Sequence, residues 1–131
     1  MYLIDTNIFL EALLEQEKTN IVRSFFQSID LRDMLITDLS LHSIGIILFR
    51  LNKFELFDIL LNDIIIDGIG IISLKLSDLK ELKDISKAFN LDFDDAYQYL
   101  ASEKHDLLII SFDKDFDRTK RKRKEPQEII S

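Results

Sequence analysis

Apolar positions along the chain come in two kinds of run. Some are short blocks of consecutive aliphatic residues; others return every three or four positions, the spacing of one helix face. Met1–Ile4 reads as a buried strand that stops at Asp5, and Thr6 caps a helix with the stripe Ile8, Phe9, Ala12 and Leu13. Asn20–Ser28 carries Ile21, Phe25 and, one residue on, Ile29 at helical spacing, and Met34–Thr37 is a second strand. Ser40–Phe49 and Phe54–Leu61 read as helices, and Ile69–Leu74 as a third strand. Ser77 opens a helix to about Phe89, and Asp92 caps another with Phe93, Ala96, Tyr97, Leu100 and Ala101 on its inner stripe. Leu107–Ser111 is a fourth strand, with Asp113 just past its end, and Glu128–Ile130 adds an edge strand after Pro126.

Strands separated by single helices or helix pairs pair in parallel, in a sheet covered on both faces. The fold class is therefore α/β. No repeat, low-complexity linker or boundary interrupts the pattern, and 131 residues suit one domain, residues 1–131. Absence of cysteine excludes a disulfide framework, a thiolate metal site and a thiol nucleophile, and fits a reducing cytoplasm. MYLIDTN lacks the basic region and long apolar core of a signal peptide. No stretch approaches the ~20 apolar residues of a membrane span. The expectation is a cytoplasmic protein with no membrane association.

Charge sharpens the picture. Seventeen basic against twenty-four acidic residues give −7, which argues against non-specific nucleic-acid binding by the whole surface. Yet Arg118, Lys120, Arg121, Lys122, Arg123 and Lys124 concentrate positive charge directly after an acidic segment. The run reads either as a solvated loop or as a holder of a phosphate backbone; it has no interleaved aromatics for base stacking.

In open parallel sheets, ligands bind beyond the carboxyl ends of the strands. Asp5 and Asp113 fall there, and Asp94 or Asp95 opens the helix leading into the fourth strand. Gathered together they repel: at 4 Å and an effective dielectric of ~20, one pair costs about 4 kcal/mol. A divalent cation removes that penalty, and hard oxygen ligands favour Mg²⁺ or Mn²⁺.

Three segments, "YLIDTNIFLE", "LDFDDAYQYLAS" and "LLIISFDKDFD", resemble the PIN domain family in order and spacing, over essentially the whole chain. The resemblance implies a three-layer α/β/α sandwich with a mostly parallel sheet, and acidic residues around Mg²⁺ or Mn²⁺ that cleave RNA. Many small stand-alone members are VapC-type toxins, often dimeric, so it further implies an antitoxin partner and a homodimer. By position, Asp5 matches the first acidic ligand, with Thr6 and Asn7 its polar neighbours. Asp95 matches the third, with Asp94 as the alternate, and Asp113 the fourth, with Asp115 as an accessory ligand.

One position departs from the pattern. The family's second acidic residue is usually a glutamate about six residues beyond a serine or threonine that ends the second strand. Thr37 fills the latter place, and six residues on stands Ser43. A serine can hold water or substrate but brings no charge, so weaker metal affinity is expected. Asp38 and His42 lie close enough in sequence to substitute in part, although His42 reads first as a partly buried histidine with an ordinary hydrogen bond. A non-catalytic module binding RNA or a protein partner is therefore the second reading. Asn7, two residues after Asp5, excludes a haloacid-dehalogenase-type phosphatase, and no glycine-rich phosphate loop is present.

Overall fold

The computed structural model describes residues 1–130, with the side chains of residues 65–67 excepted. Four short strands, β1 (Tyr2–Ile4), β2 (Met34–Thr37), β3 (Gly70–Ile72) and β4 (Leu108–Ile110), form a sheet of order β3-β2-β1-β4. Every pairing is parallel, with Leu3 opposite Leu35 on one side and Ile109 on the other. Around it lie α1 (Thr6–Leu13), α2 (Thr19–Ser28), α3 (Asp38–Arg50), α4 (Phe54–Asp67), α5 (Leu82–Phe89), α6 (Phe93–Lys104) and α7 (Pro126–Ile130).

The period-two alternation of a strand sends neighbouring side chains to opposite faces. Ile4, Met34, Ile36 and Ile110 pack with Ile8, Phe25, Ile44, Leu48 and Leu60 from α1–α4 on one face. Leu3 and Ile109 point the other way, into Leu82, Tyr99, Leu100 and Phe116. Two apolar layers against one sheet make the three-layer α/β/α sandwich expected.

Chain order sets the place for a site. From β1 the chain steps outward to β2 and β3, then returns to place β4 on β1's free side. The reversal falls between β1 and β4, and crevices beyond the carboxyl ends of strands at such a switch are where open sheets take ligands. Asp5 and Ser111 are the first residues past those two strand ends.

Several boundaries differ from expectation, each for a local reason. The α1 cap is Asp5, whose carboxylate accepts from Thr6 N at 2.7 Å; Thr6 is already helical. Helix α4 runs on past Leu61 because Leu60 and Ile64 continue the buried stripe, until Gly68 ends it at φ +91°. The third strand is only Gly70–Ile72; the Leu35 side chain leans over Gly70, so that a Cβ there would stand 2.8 Å from Leu35 Cδ2 and the leucine would have to shift. The helix expected from Ser77 begins as a 3₁₀ segment, Leu76–Glu81, with Asp78 accepting from Lys75 N at 2.9 Å, before α5.

The expected edge strand at Glu128–Ile130 is a helix instead. Pro126 occupies the first helical position, where its missing N–H costs nothing, and Glu128 accepts from Glu125 N at 2.7 Å. Ile129 and Ile130 then pack against the α1–α4 core. The extended stretch lies just before, where Lys124 bridges Ile110 in parallel.

Candidate metal centre

Asp5 sits at the centre of the switch-point crevice and is 8 % exposed. Its carboxylate accepts four hydrogen bonds. Thr6 N and Gln98 Nε2 reach Oδ1 at 2.7 Å each, and Ser111 Oγ and Asn7 Nδ2 reach Oδ2 at 2.5 and 3.3 Å. That fills the about four acceptor positions of an ionised carboxylate. Burial pushes the Asp5 carboxyl up and Asp113 adds to that, while Ser111, Thr6 and Gln98 oppose by bonding to the charged form. The longest of the four bonds is the one from Asn7.

Gln98 and Ser111 were not singled out by sequence reading, and both are buried. Gln98 faces Asp5 because α6 is buried from Ala96 to Ser102, about two turns, and its own Oε1 accepts from Ser40 Oγ at 3.0 Å. Ser40 N in turn donates to Thr37 Oγ1 at 3.0 Å, the cap of α3. A continuous polar relay therefore joins the end of β2 to the end of β1. Ser111 Oγ also accepts from Asp113 N at 2.9 Å, tying the fourth-strand aspartate to Asp5.

Around this centre the other carboxylates converge. Oxygens of Asp95, Asp113 and Asp115 lie within 4.8 Å of one another, and those of Asp92, Asp94 and Asp95 do likewise. Asp95 belongs to both groups and is half-buried; Asp94 is exposed. Burial, then Asp113, Asp94, Asp5 and Asp115 in turn, push the Asp95 carboxyl up to about 8. Three hard oxygen donors at that spacing, repelling one another, fit Mg²⁺ or Mn²⁺. Asp113 is further oriented by accepting from Asp115 N at 2.9 Å, and Asp115 is partly offset by Arg118 at 3.0 Å.

A cavity of about 500 Å³ opens over these groups. Its walls include Asp5, Thr6 and Asn7, Asp94, Asp95 and Gln98, Asp113, and the α3 face carrying Ser43, Ile47 and Arg50. Ser43 thus stands at the wall where a charged second ligand was anticipated. Asp38 is engaged elsewhere, accepting from Tyr97 Oη at 2.7 Å, and His42 is exposed on an apolar surface beside Phe49, outside this cavity.

The basic run divides. Arg118 donates to the carbonyls of Phe89 and Asn90, Arg121 to Asp106 and Leu107 O, and Arg123 to Asp117 and Ser111 O. These arginines stitch the segment to the body of the fold, and the Arg123 side chain is only 8 % exposed. Lys120, Lys122 and Lys124 point to solvent. None of the six lines the cavity.

The PIN domain family model matches residues 2–122. No curated protein matches in sequence. Among solved structures, VapC20 of Mycobacterium tuberculosis, described as a sarcin-ricin loop cleaving toxin, is similar at a TM-score of 0.78 and 11% identity, over 89% of this chain and 93% of that one. FitAcB of Neisseria gonorrhoeae aligns at 0.73 and 17% identity, over 97% and 99%. A toxin–antitoxin complex from Klebsiella pneumoniae aligns at 0.70 and 16%, over 88% and 90%. At such identities the likeness is one of fold.

Proposed function

The chain belongs to the PIN domain family, and we propose that its carboxylate crevice makes it a divalent-metal-dependent endoribonuclease. The observation that carries this reading is the convergence of Asp95, Asp113 and Asp115 beside the buried Asp5, at the sheet's switch point. Asp5, Asp95 and Asp113 would hold Mg²⁺ or Mn²⁺, with Asp115 as an accessory ligand. When bound, the cation lowers the pKa of water and offsets the charge that develops on the attacked phosphate. The residues' own task is placement. Gln98, Thr6 and Ser111 fix the Asp5 carboxylate, and Asp115 N fixes Asp113. Ser43 offers a hydroxyl to water or substrate from the opposite wall. Hydrolysis in line leaves a 5′-phosphate and a 3′-hydroxyl. Lys120, Lys122 and Lys124 draw the RNA backbone toward the crevice from outside it.

Asp5→Asn keeps shape but removes the charge and turns one acceptor oxygen into a donor. It should abolish Mn²⁺-dependent cleavage of a mixed RNA pool with little loss of fold, and equal activity in that variant refutes the mechanism. A second reading, a PIN module that binds RNA or protein with a weak or vestigial site, is favoured by Ser43 alone. Ser43→Glu separates the two: a large gain in activity marks a degenerate site, and no change means that the aspartates suffice.

A toxin role with an antitoxin partner is supported by the similar folds of a chain in a toxin–antitoxin complex and of the toxin VapC20. A homodimer is supported by apolar side chains left exposed on α3 and α4, among them Phe49, Phe54 and Ile59. A cytoplasmic location fits the cysteine-free chain, and no helix among the described residues is long and apolar enough to cross a membrane.

A further inference from the structure

We infer that Arg50 is the substrate-phosphate anchor of this crevice, a role that rests on the nuclease reading. The chain has six arginines, and five are paired with carboxylates: Arg23 with Glu15, Arg32 with Asp30, Arg118 with Asp115, Arg121 with Asp106 and Arg123 with Asp117. Arg50 alone has no carboxylate partner among the described residues, although the cavity it lines contains Asp5, Asp94, Asp95 and Asp113. It is exposed and is the one cation on that wall.

Its place follows from helical spacing. Ser43, Ile46, Ile47 and Arg50 fall three, four and seven residues apart, on one stripe of α3 facing the cavity. Seven residues carry the Arg50 backbone about 10 Å along the helix from Ser43, and no carboxylate among the described residues stands within ion-pair distance of its guanidinium. Between Ser43 and Arg50 on this stripe stand Ile46 and Ile47, and Leu10 and Leu39 also line the cavity. That sequence of surfaces suits a nucleic-acid strand with one phosphate at the carboxylates, a sugar or base over the aliphatic side chains and a neighbouring phosphate on Arg50. A guanidinium fork meets two phosphate oxygens at once. Arg50 also lies in the last turn of α3, where a cation is favourable next to the free carbonyls. The chain thus holds a positive charge inside an acidic cavity, while its basic run stays outside.

The test is steady-state cleavage of a mixed-sequence RNA with Mn²⁺ by wild type, Arg50→Ala and Arg50→Lys. Fluorescence anisotropy with the same RNA and calorimetry with Mn²⁺ run alongside. Arg50→Ala should raise KM and weaken RNA binding by about ten- to a hundredfold, as expected for a lost charged hydrogen bond, with kcat nearly unchanged. Mn²⁺ affinity should be unaltered, and Arg50→Lys should recover part of the loss. RNA affinity and KM unchanged in Arg50→Ala overturn the anchor, as does an equal loss of Mn²⁺ affinity, which would mark a support of the carboxylates. Should wild type bind Mn²⁺ and RNA yet cleave nothing, the nuclease reading fails by itself. Anisotropy then still decides Arg50: a tenfold gap sustains the anchor and equal binding removes it.

Discussion

Replacing Asp95 with asparagine should stabilise the metal-free protein at alkaline pH and leave it unchanged in acid. Burial and the neighbouring aspartates raise its carboxyl from 3.8 to about 8. Between those limits the native state keeps a proton that the unfolded chain has released, so native stability falls as pH rises. It is fully present below the unfolded value and fully lost above about 8. The shift of about four units corresponds to roughly 5 kcal/mol at 1.36 kcal/mol each; solvent screening of this half-buried group leaves about 2–3 kcal/mol. For a chain of this length that moves Tm by very roughly 5–12 °C. Asp5, pushed up by burial, adds a dependence of the same sign, so the wild type's slope alone does not isolate Asp95. The difference between wild type and Asp95→Asn does. Urea unfolding in excess chelator, at steps from pH 3 to pH 9, should show the two proteins equal near pH 3 and diverging as pH rises above 4. The variant should be more stable by about 2–3 kcal/mol at pH 9. Mn²⁺ at pH 8 should then raise the Tm of wild type and not of the variant. A variant less stable than wild type at pH 9, or a difference that does not change with pH, refutes the account of strained carboxylates.

Three further outcomes follow from particular contacts. Gln98→Leu removes the 2.7 Å bond to Asp5 and strands the Ser40 hydroxyl; it should cost about 1–3 kcal/mol in urea unfolding and lower Mn²⁺ affinity about 10- to 100-fold by calorimetry. Arg123→Ala leaves Asp117 and Glu125 without their shared partner and frees Ser111 O; because both carboxylates reach solvent, a loss of about 1–2 kcal/mol in the same assay is expected. Gly70→Ala sets a methyl 2.8 Å from Leu35 Cδ2, which the leucine side chain can turn away from, and should cost about 1 kcal/mol or less in urea unfolding.

The framework was legible because strand blocks and helix stripes are local patterns. β2 was read at its observed bounds, and Asp5 and Asp113 were placed from strand ends alone. Other features depend on what touches what. Gln98 is an unremarkable residue mid-helix until α6 turns it onto Asp5, and Ser111 is merely the residue after a strand until its hydroxyl joins Asp5 to Asp113 N. A count of positive charges could not reveal that Arg118, Arg121 and Arg123 are taken up by carbonyls and carboxylates far away in sequence. The β-branched tail suggested a strand, but Pro126 and Glu128 supply helix-start chemistry that propensity alone does not weigh. Arg50 carried no sequence signal, since its meaning lies in the partner it lacks.

The central claim is that the crevice aspartates act together as one divalent-cation site. Calorimetric titration of Mn²⁺ into wild type and Asp113→Asn at pH 8 tests it most directly, because Asp113 faces both Asp5 and Asp95. The account predicts saturable binding in wild type that is lost in the variant while its unfolding remains cooperative. Equal binding by both proteins, or none by wild type, would contradict it.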